Sequence, residues 1–160
     1  MTAVGLLWAL FAVLFYEHFF DRSHSPRFPK SYNKLLYLFA VLIAGVFITY
    51  FINPALLVIP YFYFWVSVIF VVIPLIWFLY SRPKFLSRLT VAGVYFFIVL
   101  LLFELAALAV GLWTFPGTHF IGWVELFGYS FPMEEFVFWM MFATPSLLAY
   151  YEFFADDRKL

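Results

Sequence analysis

The sequence predicts an all-α integral membrane protein, a bundle of about five transmembrane helices in one domain over residues 1–160. Three observations predict it. Hydrophobic residues make up 67% of the chain and charged ones only 11%, with a mean hydropathy of +1.01. A chain of 160 residues keeps too large a surface fraction to hide that much apolar area in a soluble fold. The apolar residues fall into five runs, each long enough to span a hydrocarbon core. All nine Lys and Arg residues lie in the segments 21–34 and 81–88 and in the tail 155–160. Five spans put those three segments on one side of the membrane. By the positive-inside rule that side is the cytoplasm, so the N-terminus is expected outside and the C-terminus in the cytoplasm.

The first span covers residues 2–20. It is rich in aromatic residues and has no basic leader or small-residue cleavage site, so it does not read as a signal peptide. Glu17 and His18 near its end are expected at the lipid headgroups. The polar loop that follows carries Arg22, Arg27, Lys30 and Lys34, and Pro26 and Pro29 oppose a helix there. The second span covers 35–52 and ends at the turn signal Asn53-Pro54. The third covers 55–80 and includes Pro60 and Pro74, each expected to kink it while neighbouring groups satisfy the freed carbonyls. Tyr61, Tyr63 and Trp65 suit an interfacial belt. A basic loop with Arg82, Lys84 and Arg88 leads to the fourth span, 89–113. Residues 114–130 contain no Lys or Arg, and Gly117, Gly122 and Gly128 interrupt them. This stretch reads as a membrane-hugging or re-entrant loop. The fifth span covers 132–154. Pro132 suits its first turn, where a missing N–H is no loss, and Pro145 is expected to bend it.

The composition excludes several chemistries. Net charge is zero, which gives nucleic acid no electrostatic purchase. There is no cysteine and there are only three histidines, none spaced as a ligand pair, so neither thiol chemistry nor a His-rich metal site is expected. No dinucleotide fingerprint is present. No metal or cofactor is predicted.

What remains is a set of acids among aromatic rings. Glu104 sits alone in the fourth span, where an ionisable group is costly and marks a functional site by default. Interhelical hydrogen bonding is its plainer role. Glu134 and Glu135 open the fifth span, where the helix dipole favours negative charge. Neighbours on a helix point about 100° apart, so only one of the two is expected to face an interior cavity. Trp113, Phe115, Trp123, Phe131, Phe136, Phe138 and Trp139 lie close to these acids in sequence. Ring faces stabilise cations by about 0.5–2 kcal/mol each. An acid beside rings suits carbocation chemistry, although with 26% aromatic residues any acid here has ring neighbours, and lipid-facing Phe accounts for many of them.

The segment Phe103-Glu104, Gly111-Leu112-Trp113, Ile121-Gly122 and Phe131-Pro132-Met133-Glu134-Glu135-Phe136 resembles the lycopene cyclase domain, the small integral-membrane type of carotenoid cyclase. The resemblance covers residues 89–154. The family acid in the first helix is often Asp, and here it is Glu104. The resemblance implies an intramembrane isomerase-type enzyme in carotenoid biosynthesis. It would protonate the end of a linear polyene, let the cation close a ring and release a proton, with no net redox change. Glu134 or Glu135 would then be the proton donor and Glu104 the partner acid or base. Trp113, Phe131, Phe136, Phe138 and Trp139 would line the substrate, and Pro132 would fix the helix start. It also implies a lipid-soluble carotenoid or other polyisoprenoid ligand, the plasma membrane of a prokaryotic cell, and a second membrane subunit or a homo-oligomer. The motif occurs once here, whereas family enzymes combine two copies. A second subunit completes the site, the chain pairs with itself, or catalysis is lost. The alternative reading is a non-catalytic carotenoid- or retinoid-binding or structural subunit of cyclase-like fold. A proton-coupled transporter would use similar acids, but no inverted repeat supports one.

Overall fold

A computed structural model describes residues 2–20 and 31–154. The proline-containing stretch 21–30, with Arg22, Arg27 and Lys30, and the charged tail 155–160 lie outside the described residues. The chain is mostly helical, with five long helical segments and one small sheet. Helix α1 is Thr2–Phe20 and α2 is Ser31–Ile52. The third segment runs through α3 (Phe62–Ser67), a π-helical stretch Val68–Val72, and α4 (Ile73–Ser81). A 3-10 turn, Pro83–Phe85, leads into α5 (Leu86–Ala109). The last segment opens at Met133, passes through a nine-residue π-helix, Glu135–Ala143, and ends as α6 (Thr144–Phe154).

Three sequence expectations are corrected. The third helix begins at Phe62 rather than at residue 55. Asn53 caps a 3-10 turn over Pro54–Leu57 by accepting the Ala55 N–H at 3.1 Å. Pro60 disfavours helix for the residue before it, and Tyr61 follows in the left-handed region at φ 56°. The fold is also not wholly α. Where a re-entrant loop is expected, strands β1 (Trp123–Leu126) and β2 (Tyr129–Pro132) form an antiparallel hairpin in which Val124 faces Phe131. Its two-residue turn needs positive φ at both positions, which Phe127 (52°) and Gly128 (82°) supply. Pro132 therefore ends β2, one residue ahead of the helix, and is not its first-turn residue.

Two apolar clusters hold the bundle together. At one end, Tyr16 of α1, Leu75 and Phe78 of α4, Leu89 and Ala92 of α5, and Leu148 and Ala149 of α6 are buried together with Phe85. At the other, Leu100, Phe131 and Met140 join α5, the hairpin and the π-helix. Gly93 lets α5 approach the last segment closely: a Cβ there would stand 2.8 Å from Pro145 Cγ. Two tyrosine–carboxyl hydrogen bonds clasp α1 to α6. Tyr16 donates to Glu152, and both are fully buried. Tyr151 donates to Glu17, which is half-buried. Helix α2 makes its main contact with the turn Pro54–Leu57.

At Pro74, groups on a neighbouring helix reach nearby carbonyls. The proline offers no N–H to the carbonyl of Phe70, one turn back. The hydroxyl of Tyr150 donates to that carbonyl at 3.1 Å, and Ser146 donates to the neighbouring carbonyl of Val71 at 3.1 Å. Both donors come from α6.

Much of the apolar surface faces outward. Val91, Val94, Ile98 and Leu102 form an exposed stripe along α5, and Ile69, Ile73 and Ile76 another along α3–α4. Among the described residues, Phe62–Ser81 and Pro83–Ala109 are long and apolar enough to cross a membrane, by length and composition.

Candidate functional site

The three acids singled out by sequence are all buried: Glu104 at 2%, Glu134 at 0% and Glu135 at 8% exposure. Their local structures differ, and so do their tasks.

Glu104 lies on α5, one turn before the helix stops. Gly111, at φ 66°, ends the helix: the Leu112 N–H reaches the Ala107 carbonyl at 2.8 Å and the Gly111 N–H the Leu108 carbonyl at 3.1 Å. These are the two bonds of a Schellman cap, and glycine takes its left-handed position without steric cost. The cap folds the chain back, and the Trp113 indole N–H donates to Glu104 Oε1 at 3.0 Å. The Gly-Leu-Trp step is thus the device that brings an indole to a carboxyl.

Glu134 and Glu135 point apart, as helical neighbours must. Glu134 Oε1 accepts the backbone N–H of Ile121 at 2.7 Å, while the Met133 N–H donates to Gly122 O at 2.9 Å. This carboxyl fastens the chain ahead of β1 onto the helix start, and its Oε2 is buried with no hydrogen-bond partner. Glu135, the first residue of the π-helix, turns the other way and accepts the Tyr63 hydroxyl of α3. A π-helical stretch of this length is unusual, and π-helical turns recur at functional sites.

Glu135 and Tyr63 line a cavity of about 720 Å³ between α1, α3, α5 and the π-helix. Besides Tyr63, its walls carry six rings: Trp8, Phe11, Phe96, Phe103, Trp113 and Trp139. Trp8 and Trp139 meet at 4.8 Å between ring centroids, Phe103 and Trp113 at 5.5 Å, and Phe11 and Phe96 at 5.4 Å. Leu7, Val99 and Leu100 complete an otherwise apolar lining. Glu104 stands behind Trp113, within electrostatic reach of both Glu135 and Tyr63.

Of the rings expected around a ligand, Trp113 and Trp139 line this cavity. The other three face elsewhere. Phe131 is fully buried and packs with Phe136, whose ring also meets Phe97 at 5.5 Å. Phe138 packs on Phe64 and borders a smaller cavity of about 220 Å³. Phe131 and Phe136 belong to the core that holds the hairpin and the π-helix. Nothing in the sequence singles out Trp8, Phe11 or Phe96. Phe103 adjoins Glu104 in the motif segment, and Tyr63 is a polar-tipped ring near the start of a helix that also carries Pro74. Among the described residues no group of three or more His, Asp or Glu side chains is placed to hold a metal ion.

Chemically, the site offers one carboxyl at the wall of an aromatic, apolar cavity, a phenol to orient it and a second carboxyl held one ring away. Compared with protein family models, curated proteins and solved structures, the chain matches none.

Proposed function

We propose that the chain is an integral membrane protein that closes rings on the ends of linear polyenes, a carotenoid cyclase or a subunit of one. Glu135 is the proton donor. The observation that carries this reading is that Glu135 lines the aromatic cavity while Glu134 is committed to a backbone N–H outside it.

In this reading Glu135 gives its proton to a terminal alkene carbon, forming a C–H bond and leaving a tertiary cation. A second double bond of the same chain attacks that cation and closes a six-membered ring. The Glu135 carboxylate takes a proton back from the carbon beside the new cation, which restores both the alkene and the donor, so the step is an isomerisation. The faces of Trp8, Trp113, Trp139 and the cavity phenylalanines shelter the cation, at about 0.5–2 kcal/mol per well-placed ring. Tyr63 fixes the direction of the Glu135 carboxyl. Glu104 is a positioning residue that sets the Trp113 ring through its indole N–H. Glu134 sets the hairpin. The exposed apolar stripes of α3–α4 and α5 support a lipid environment. The segments 21–34 and 81–88 and the tail lie on the cytoplasmic side of a prokaryotic plasma membrane.

The test is co-expression in a lycopene-accumulating bacterium, with pigments separated by chromatography. Wild type is expected to yield cyclic carotenoids and Glu135→Gln none. Glu134→Gln retains activity, because an amide oxygen still accepts the Ile121 N–H. Activity that survives Glu135→Gln and disappears with Glu134→Gln overturns the assignment. Unchanged lycopene, with wild-type protein present in the membrane and pigment bound on purification, favours a carotenoid-binding subunit.

A further inference from the structure

We infer that the groove between α4 and α6 seats an anionic phospholipid, with the phosphate on Arg82 and an acyl chain along Trp77 and Phe153. The inference rests on the membrane placement proposed above and is independent of the ring-closing chemistry.

The groove is a cavity of about 270 Å³, lined by Ile73, Pro74 and Trp77 on one side and Ala149, Tyr150 and Phe153 on the other. It is almost wholly apolar, because the Tyr150 hydroxyl is turned to the Phe70 carbonyl. At its end stands Arg82, the residue that stops α4. Its guanidinium carbon lies 5.7 Å from the Phe78 ring centroid and 5.6 Å from that of Phe153, so it is sandwiched between two rings of the groove. Nη1 is buried with no hydrogen-bond partner. A buried donor left unmade is costly, and a guanidinium held flat against rings still presents its edge to a planar or tetrahedral anion. A phosphate oxygen answers both the charge and the missing acceptor.

The spacing and the surroundings agree. Ile73 to Arg82 spans roughly 14 Å at 1.5 Å per residue, which sets an apolar channel and a cation as far apart as an acyl segment and its headgroup. Lys84 and Arg88 add positive charge at this end, and the acids there, Glu17 and Glu152, are engaged by the hydroxyls of Tyr151 and Tyr16. The tail 155–160 has two acids and two bases and brings no net charge. This end of the bundle carries the basic loop, so it faces the leaflet rich in anionic lipid.

The test uses the full chain in mild detergent, with native mass spectrometry against palmitoyl-oleoyl phosphatidylglycerol and the matching phosphatidylcholine. Wild type is expected to retain phosphatidylglycerol in preference. Arg82→Gln loses that retention roughly fivefold, the factor one basic residue near an anionic surface supplies; Arg82→Lys loses less. Ile73→Trp, which fills the groove and leaves Arg82 in place, lowers retention of both lipids. Equal retention of the two lipids by wild type, or phosphatidylglycerol retention unchanged in folded Arg82→Gln, overturns the site. Release of the protein from membranes by alkaline carbonate overturns the membrane placement instead, and this inference with it.

Discussion

Replacing Tyr16 by Phe tests whether the α1–α6 clasp holds the bundle. Tyr16 and Glu152 are both fully buried and hydrogen-bonded to each other. The substitution keeps the ring and removes only the hydroxyl, leaving a buried carboxyl short of a donor. That costs about 1–3 kcal/mol. For a chain of this size it corresponds to a fall of roughly 2–12 °C in the unfolding midpoint. Pairing it with Glu152→Gln supplies the stronger test. The two changes act on the same hydrogen bond, so their costs are not independent. Tyr16→Phe/Glu152→Gln is therefore expected to lose less than the sum of the two single losses. Tyr151→Phe, at the half-buried bond to Glu17, costs less, about 0.5–1.5 kcal/mol. The assay is thermal unfolding in detergent followed by circular dichroism. A midpoint for Tyr16→Phe within about 1 °C of wild type, or strictly additive losses in the pair, would refute the reasoning.

Two further outcomes are expected. Gly93→Val forces a side chain onto Pro145, where a methyl would already stand at 2.8 Å against an ordinary carbon contact of about 3.5–4.0 Å. A loss of about 1–3 kcal/mol follows, and an unchanged unfolding midpoint would mean that the helices separate there without cost. Glu134→Ala removes the acceptor for the Ile121 N–H and is expected to speed amide exchange across residues 119–126 while Thr144–Phe154 stays protected; uniform exchange across both regions would show that the carboxyl does not fasten the hairpin.

Apolar runs and punctuation made the five helical segments legible, because a long run with few charges has few other ways to satisfy its backbone. Pro74 was legible for the same reason: a missing N–H must be answered from a neighbour, and Ser146 and Tyr150 answer it. The β-hairpin was not, since Phe127 supplies a positive φ that is ordinarily a glycine's task. The start of the third helix was misread because residues 55–59 are as apolar as the helix itself. At the site, sequence proximity to the acids was a poor guide. Trp113 and Trp139 line the cavity, but its other rings come from α1, α3 and α5, whose positions depend on packing. Phe131, Phe136 and Phe138 lie nearer the acids in sequence and face the core or another cavity. The separation of Glu134 from Glu135 followed from helical geometry alone; which of them faced the chamber did not.

The two carbonyls near Pro74 act as an index mark for the whole last segment. A hydroxyl from Ser146 and one from Tyr150, one turn apart, meet two acceptors at fixed heights on the third segment. Turning that segment by one residue would swing both hydroxyls through about 100° and lose both bonds. The same rotation would carry Glu135, eleven residues away, off the chamber wall and bring a neighbour in its place. A proline deep in one helix thereby sets the angular registration of an acid at the far end of another, so that the aim of the carboxyl is settled at a point no substrate would touch.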